Sequence, residues 1–263
     1  MESRIITLTT DFGRRDPFVG IMKGVILGIN PKALLVDLCH EVEPGNILRA
    51  AYIVNSAVSF FPPHSIHLVV VDPGVGSERR KVVVKAGDAF FVGPDNGVLT
   101  FPLKDPKREA VVEILNQDFF LQPTSATFHG RDIFAPVAAH LSLGKSIKSF
   151  GEKMEDPVLL DLPEPEMLEE GKLKGAVVYE DWFGNLATNL SIPPEEEAFP
   201  WRVRTGGGKI IPLHTHYAQA AEGELSALIN SSGALELFVK DGSASERFGL
   251  KEGDEIFLEK IRI

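Results

Sequence analysis

In the first half of the chain, short runs of β-branched residues alternate with stretches of helical period. Residues 5–9 (IITLT) are apolar enough to make a strand buried on both faces. After the polar loop TDFGRR, Asp16 followed by Pro17 predicts a helix start, with the carboxylate as N-cap and the proline at N1. Phe18, Ile21, Met22, Val25 and Ile29 then fall on one helical face, and Asn30-Pro31 ends the helix. Residues 33–38 and 67–71 read as the second and third strands, with a helix over 47–60 between them. A β-α-β-α-β order of this kind implies parallel strands joined by helical crossovers. Beyond Arg80 the pattern changes. KVVVKAGDAFFVG predicts two short strands around a Gly-Asp turn, and residues 131–143 a helix burying Phe134, Val137, Ala138 and Leu141, with Gly144 as its C-cap.

Residues 155–172, rich in Pro and Glu, break both periodicities. They place a domain boundary: an N-terminal domain over 1–160, a linker over 161–169 and a C-terminal domain over 170–263. The C-terminal part reads as strands separated by turn residues (KGAVVYEDWFGN, RVRTGGGKIIPL, GELSALINSSGALELFV, EGDEIFLEKIRI), which predicts a small antiparallel barrel or sandwich. The expected fold is an α/β domain with a mainly parallel sheet, followed by an antiparallel, barrel-like β domain.

Composition narrows the partners. A formal charge of −10 argues against nucleic acid or an anionic membrane, which clustered Lys and Arg would have to hold. Cys39 is the only cysteine, so no internal disulfide can form; that usage fits a reducing compartment, and the cytoplasm is the expected location. The opening MESRIITLTTDFGRRD lacks a basic region followed by a long apolar core, and no segment approaches the ~20 apolar residues that span a bilayer.

The stretch VVDPGVGSERR, residues 70–80, sits directly after the third strand. A phosphate loop would need Gly-x-x-x-x-Gly-Lys-Ser/Thr leading into a helix, and here a β pattern follows. Pro73-Gly74 makes a turn with Asp72 as its cap one reading. The other is a ligand contact, because open α/β sheets bind ligands beyond the C-terminal ends of their strands. Asp11 occupies the matching place after the first strand, as a turn residue or as a carboxylate suited to a ribose diol. His129 and Arg131 lie on a turn before a helix, where a histidine is either structural or catalytic. The seven histidines show no HExxH spacing, so no metal site is expected, and no Gly-x-Ser-x-Gly elbow is present. DWFGNLATN (181–189) and NSSG (230–233) concentrate polar groups that ordinary β-turns would also explain.

Together these segments resemble one family, the S-adenosyl-L-methionine (SAM) hydroxide adenosyltransferases, relatives of the SAM-dependent chlorinase and fluorinase. The matching motifs are TTDFG…D…VGxxKG (9–24), VDPGVGSERR (71–80), GPDNGVLT (93–100), TFHGRDIFAP (127–136), DWFGN…TN (181–189) and NSSG (230–233). The resemblance implies attack of water or hydroxide on ribose C5′ of SAM, releasing adenosine and methionine, in a homotrimer that binds SAM between subunits. SAM is then the substrate and no cofactor is implied. By motif, the catalytic trio would be Asp72, Arg79 and His129, with Asp11 holding the ribose hydroxyls. Asp181, Asn185, Ser231, Ser232 and Asn96 would contact the methionine end or nearby ligand atoms.

In the fluorinase the positions of Asp72, Arg79, His129 and Gly130 are Tyr, Thr, Tyr and Ser, and a long insertion lies between the strands spanning Lys81 to Val92. This chain has the hydroxide-type residues and lacks the insertion, so halide use is not expected. Ser232 stands where the fluorinase has arginine, which leaves the hold on the methionine carboxylate open. In an extended segment neighbouring side chains point to opposite faces, so one of Arg79 and Arg80 should enter the pocket. A non-catalytic adenosine- or SAM-binding module would keep Asp11 but would not need Asp72, Arg79 and His129 together.

Overall fold

The computed structural model describes residues 5–193, 196 and 200–261; the first four residues and the last two positions of the final predicted strand, Arg262 and Ile263, lie outside them. Two compact units divide the chain at residue 160. The first carries β1 (Ile5–Thr10), α1 (Phe18–Ile29), β2 (Leu34–Cys39), α2 (Ile47–Val58), β3 (Ile66–Val70), β4 (Lys81–Ala86), β5 (Ala89–Pro94), α3 (Thr100–Lys104), β6 (Arg108–Ile114), α4 (Ala135–Ser142) and β7 (Gly151–Lys153). Its strands form one sheet in the order β2-β1-β3-β5-β4-β6-β7. The first four are parallel neighbours and the rest pair antiparallel, so the sheet is parallel where β-α-β crossovers build it and antiparallel from the β4–β5 hairpin onward.

Side-chain alternation decides where the helices lie. Leu68 and Val70 join a core with Met22 and Ile26 of α1 and Leu141 of α4, whereas Val69 and Val71 join Ala50 and Val54 of α2 and Leu103 of α3. Strands buried on both faces need cover on both, and the helices supply it. Because β1 lies between β2 and β3, α1 carries the chain outward from β1 to β2 and α2 carries it back across β1 to β3. That is a topological switch point, beyond which open α/β sheets form their ligand crevice. Thr10 of β1 pairs with Val70 of β3, so the loops bearing Asp11 and Asp72 emerge side by side.

Helix α1 starts one residue later than predicted and keeps part of its predicted face, with Met22 buried and Val25 and Ile29 packed against the core. Pro17 is its N-cap, no side chain caps it, and Asp16 is exposed. Its buried residues are Met22 and Ile26, while Phe18 turns out of the core to meet Phe12 and Phe128 edge to face. The helix expected over 131–143 begins as a π-helical turn, Gly130–Phe134, before α4, and Gly144 at φ +86° follows its last turn. No periodicity marked the five-residue α3, the three-residue β7, or β6 with its three charged positions.

The second unit holds β8 (Glu166–Glu169), β9 (Lys172–Glu180), β10 (Leu186–Ser191), β11 (Trp201–Thr205), β12 (Ile210–Ile211), β13 (Leu213–His214), β14 (Leu225–Ile229), β15 (Ala234–Val239), α5 (Ala244–Phe248) and β16 (Glu255–Lys260). Strand β8 falls inside the stretch read as a linker and pairs with β9. The main path runs β12-β11-β16-β9-β10-β15-β14-β13, antiparallel except for β13–β14. Its two ends approach each other, with β11 beside β13 and β12 beside β14, so the sheet nearly closes as a barrel around Val177, Leu186, Val203, Leu225, Leu237 and Leu258.

Candidate active site

The loop between β3 and β4 carries Asp72 and Arg79. Its turn needs Gly76, which sits at φ +81° with its Cα so close to the Ala126 carbonyl that a Cβ would collide. That approach packs the loop against residues 125–127, just before His129. Arg79 Nε donates to Asp72 Oδ1 at 2.7 Å and Nη2 donates to Asp72 Oδ2, a two-point fork. The same Nη2 lies 2.8 Å from His129 Nδ1. A guanidinium has no acceptor, so it must donate there, and His129 carries its proton on Nε2 with Nδ1 bare. Burial, together with the charges of Arg79 and Lys81, holds the His129 imidazole below its ordinary pKa, which keeps the ring neutral at pH 7. The side chains of Asp72 and Arg79 are 5% and 9% exposed, yet Arg79 Nη1 is buried without a hydrogen-bond partner. Such a donor is one that a bound water normally satisfies.

Arg80 goes elsewhere. It donates to Asp95 at 2.9 Å and to Asp156 at 2.7 Å, and Asp95 in turn accepts from the Val158 amide. Arg79 is therefore the arginine of the Asp72 and His129 cluster, as the alternation of an extended segment requires of one of the pair. Asn96 is also committed to the backbone: its amide donates to the Val71 carbonyl at 2.9 Å and its oxygen accepts from Val98. It braces the residue before Asp72 and is not among those lining the cavity there.

That cavity, about 410 Å³, is lined by Asp72, His129, Arg131, Phe12, Phe18 and Phe128, among others. The three phenylalanines meet edge to face with ring centroids 5.4 to 5.9 Å apart and form an apolar wall, with the Arg131 guanidinium 5.2 Å from the Phe128 ring centroid. Sequence reading missed this wall; Phe12 and Phe128 stand inside the quoted motifs, but nothing in a lone sequence separates a wall residue from a core one. Arg131 is tied to the buried Asp132 at 2.6 and 2.8 Å. Asp11 follows β1 and accepts from the Gly45 amide at 2.9 Å; a Cβ on Gly45 would lie 3.7 Å from Pro73 Cβ, so the Asp11 and Asp72 loops meet through Gly45.

In the second unit, Asp181 and Asn185 close the turn after β9. Asp181 Oδ1 accepts from the amides of Phe183 and Asn185 at 2.8 and 2.9 Å, and Oδ2 accepts from the Asn185 side chain at 3.1 Å. Both line a cavity of about 740 Å³ with Tyr217 and Phe238, beside an exposed Trp182 and Phe183. Ser231 and Ser232 lie in the exposed turn after β14, and the Ser232 hydroxyl donates to Asn230 at 2.7 Å. That turn connects to the cavity through Glu236, whose buried carboxylate accepts from Asn230 at 3.1 Å and from the Tyr217 hydroxyl at 2.7 Å. Burial, with the Glu236 charge beside it, pushes the Tyr217 phenol above its ordinary pKa. A glutamate in the middle of the apolar strand ALELFV was the available sign of this anchor.

A switch-point crevice whose walls carry a carboxylate, a guanidinium and an imidazole, on an α/β unit followed by a β-barrel-like unit, defines a small-molecule enzyme class more closely than any single motif. The family description SAM hydroxide adenosyltransferase N-terminal domain matches residues 6–151, and its C-terminal domain description matches residues 175–257. The chain belongs to that family. It is 38% identical to a protein named (R)-S-adenosyl-L-methionine hydrolase from Salinispora tropica, over 95% of this chain and 96% of that protein. The equivalent hydrolase from Thermus thermophilus is also 38% identical, over 95% and 97%. Fluorinase from Actinopolyspora mzabensis is 27% identical over 95% of each chain. A crystal structure of an uncharacterized conserved protein from Thermotoga maritima matches with a TM-score of 0.89 at 39% identity, covering 97% of this chain and all of that one.

Proposed function

We propose that the protein hydrolyses SAM to adenosine and L-methionine. The observation that carries this reading is Arg79, which bridges Asp72 and His129 at the cavity they line. A water in that cavity donates to Asp72, which Arg79 holds in place, and turns a lone pair toward ribose C5′. The C–O bond forms as the C5′–S bond breaks, the sulfur keeps the electron pair, and methionine leaves as a thioether. An oxygen acquiring its third bond is strongly acidic, so even an ion-paired carboxylate can take its proton. His129, with Nδ1 bare, holds Arg79 Nη2 and stops the guanidinium from turning. The sulfonium is already a good leaving group, so positioning and an activated water suffice, and the chemistry needs no cofactor.

In this reading Asp11 holds the ribose hydroxyls, Asn96 braces the Asp72 loop, and Asp181, Asn185, Ser231 and Ser232 hold the methionine end or atoms near it. The protein works in the cytoplasm as a homotrimer with SAM bound between subunits; light scattering at working concentration measures the assembly. The relatives named as SAM hydrolases stand nearer in identity than the fluorinase, which favours water over halide. Incubation with SAM, with and without chloride, followed by mass spectrometry tests the activity. Adenosine plus methionine in both conditions is expected. A chlorinated nucleoside would reassign the chain to halide transfer, and unchanged SAM would remove both.

A further inference from the structure

His40 is a buried histidine that the reaction above does not use. It follows β2, 3% exposed, and its two ring nitrogens face different partners. Nδ1 lies 2.9 Å from Thr10 Oγ1. Nε2 lies 2.9 Å from Asp37 Oδ1, off the axis of an aligned hydrogen bond, and Asp37 Oδ2 accepts from Lys23 Nζ at 2.6 Å. Burial alone would raise the Asp37 carboxyl, but bonds to Lys23 and His40 outweigh it and hold the carboxyl below its ordinary pKa. A carboxylate beside Nε2 calls for the ring proton there, which leaves Nδ1 to accept from the Thr10 hydroxyl. Thr10 Oγ1 has a lone pair for the Phe12 amide, at 3.3 Å. The chain Lys23, Asp37, His40, Thr10, Phe12 therefore sets a donor beside an acceptor at each step, with the His40–Asp37 step a close polar contact off the hydrogen-bond axis.

The backbone of His40 adds a second hold. Its carbonyl accepts from the Gly13 amide at 2.7 Å, where Gly13 takes φ +65°. His40 thus grips both ends of the four-residue segment Thr10–Gly13, and Asp11 is inside it. The carboxylate of Asp11 is fixed on its far side by Gly45.

We infer that His40, oriented by Asp37, is a positioning residue that sets the Asp11 carboxylate for a ribose diol. The inference rests on the reading of Asp11 as the ribose contact. If it holds, His40 acts on the hydroxyls of the ligand and not on the rest of the nucleoside.

Calorimetry with adenosine and 2′,3′-dideoxyadenosine separates those contributions. The native protein should prefer adenosine. His40→Ala should weaken adenosine roughly tenfold, about the loss of one hydrogen bond to a charged group, and leave dideoxyadenosine unchanged. Its kcat for SAM should fall less than its kcat/KM. Thr10→Val should lose the same discrimination and Thr10→Ser should keep it, which supplies the test should His40→Ala fold poorly. Equal weakening of both nucleosides would show a merely structural role and overturn the inference, as would unchanged discrimination in His40→Ala and Thr10→Val. A native protein that binds both nucleosides equally would instead remove Asp11 as the diol contact, and one that binds neither would sink the SAM reading itself.

Discussion

Asp72 and Asp181 both sit in turns beside cavities, yet their carboxylates are engaged in opposite ways. Asp72 meets the side chain of Arg79, which also holds His129 and retains a donor without a partner. Asp181 accepts from two backbone amides and an asparagine, all within its own turn. A carboxylate held by the amides of its own turn is fixed with that turn, whereas one paired to a side chain can exchange partners as charge moves. On the proposed reading, Asp72 takes part in the chemistry and Asp181 holds the ligand.

The largest test of this division is Asp72→Ala or Arg79→Ala, which should lower kcat by roughly 10²- to 10⁴-fold while adenosine binding stays measurable. Asp181→Ala should instead raise KM by roughly tenfold with a smaller change in kcat, the signature of lost ground-state binding. Steady-state kinetics on the three variants decides it; a kcat loss in Asp181→Ala as large as in Asp72→Ala would erase the distinction.

A pH profile sharpens the chemical half. Because His129 is held below its ordinary pKa, kcat/KM should stay level through the usual histidine range near pH 6.5 and fall only on further acidification. There protonation fills Nδ1 and sets a second cation against Arg79. A midpoint at or above pH 6.5 would show that the ring is not buried against a cation as described.

The smallest effect on turnover, and the one that separates scaffold from site, concerns His67. This residue is 1% exposed on β3, bonded to Thr7 at 2.9 Å and stacked on Phe91, and burial lowers its pKa to about 4. The folded value lies below the unfolded one, so the unfolded chain binds the extra proton between pH 6.5 and 4. Stability should therefore hold above pH 6.5 and drop by about 3 kcal/mol as pH falls toward 4. Urea titrations at several pH values should show that loss in the native protein and a smaller one in Thr7→Val/His67→Leu. Matching losses in both would place the acid sensitivity elsewhere.

The crossover half of the first unit was legible because strands buried on both faces leave continuous apolar runs, and helices between them keep a 3.6-residue period. β6 and β7 escaped because an antiparallel strand with charged positions, or one only three residues long, leaves no such signature. Helix α1 was placed correctly and its face was partly right: Met22, Val25 and Ile29 meet the core, while Phe18 serves the cavity wall. The site was legible as motifs and as positions beyond strand ends. The choice of Arg79 over Arg80 came from the motif resemblance and not from the local pattern, because Asp156, the partner that draws Arg80 away, lies 76 residues along the chain. Asn96, expected near the ligand, also braces the Val71 carbonyl, a contact between segments that no local pattern reports.

If water attacks ribose C5′ of SAM at the Asp72, Arg79 and His129 cluster, turnover of SAM in H₂¹⁸O should place ¹⁸O at the 5′-hydroxyl of adenosine and none in methionine, as read by mass spectrometry of both products. Label in methionine, or unlabelled adenosine, would rule that attack out.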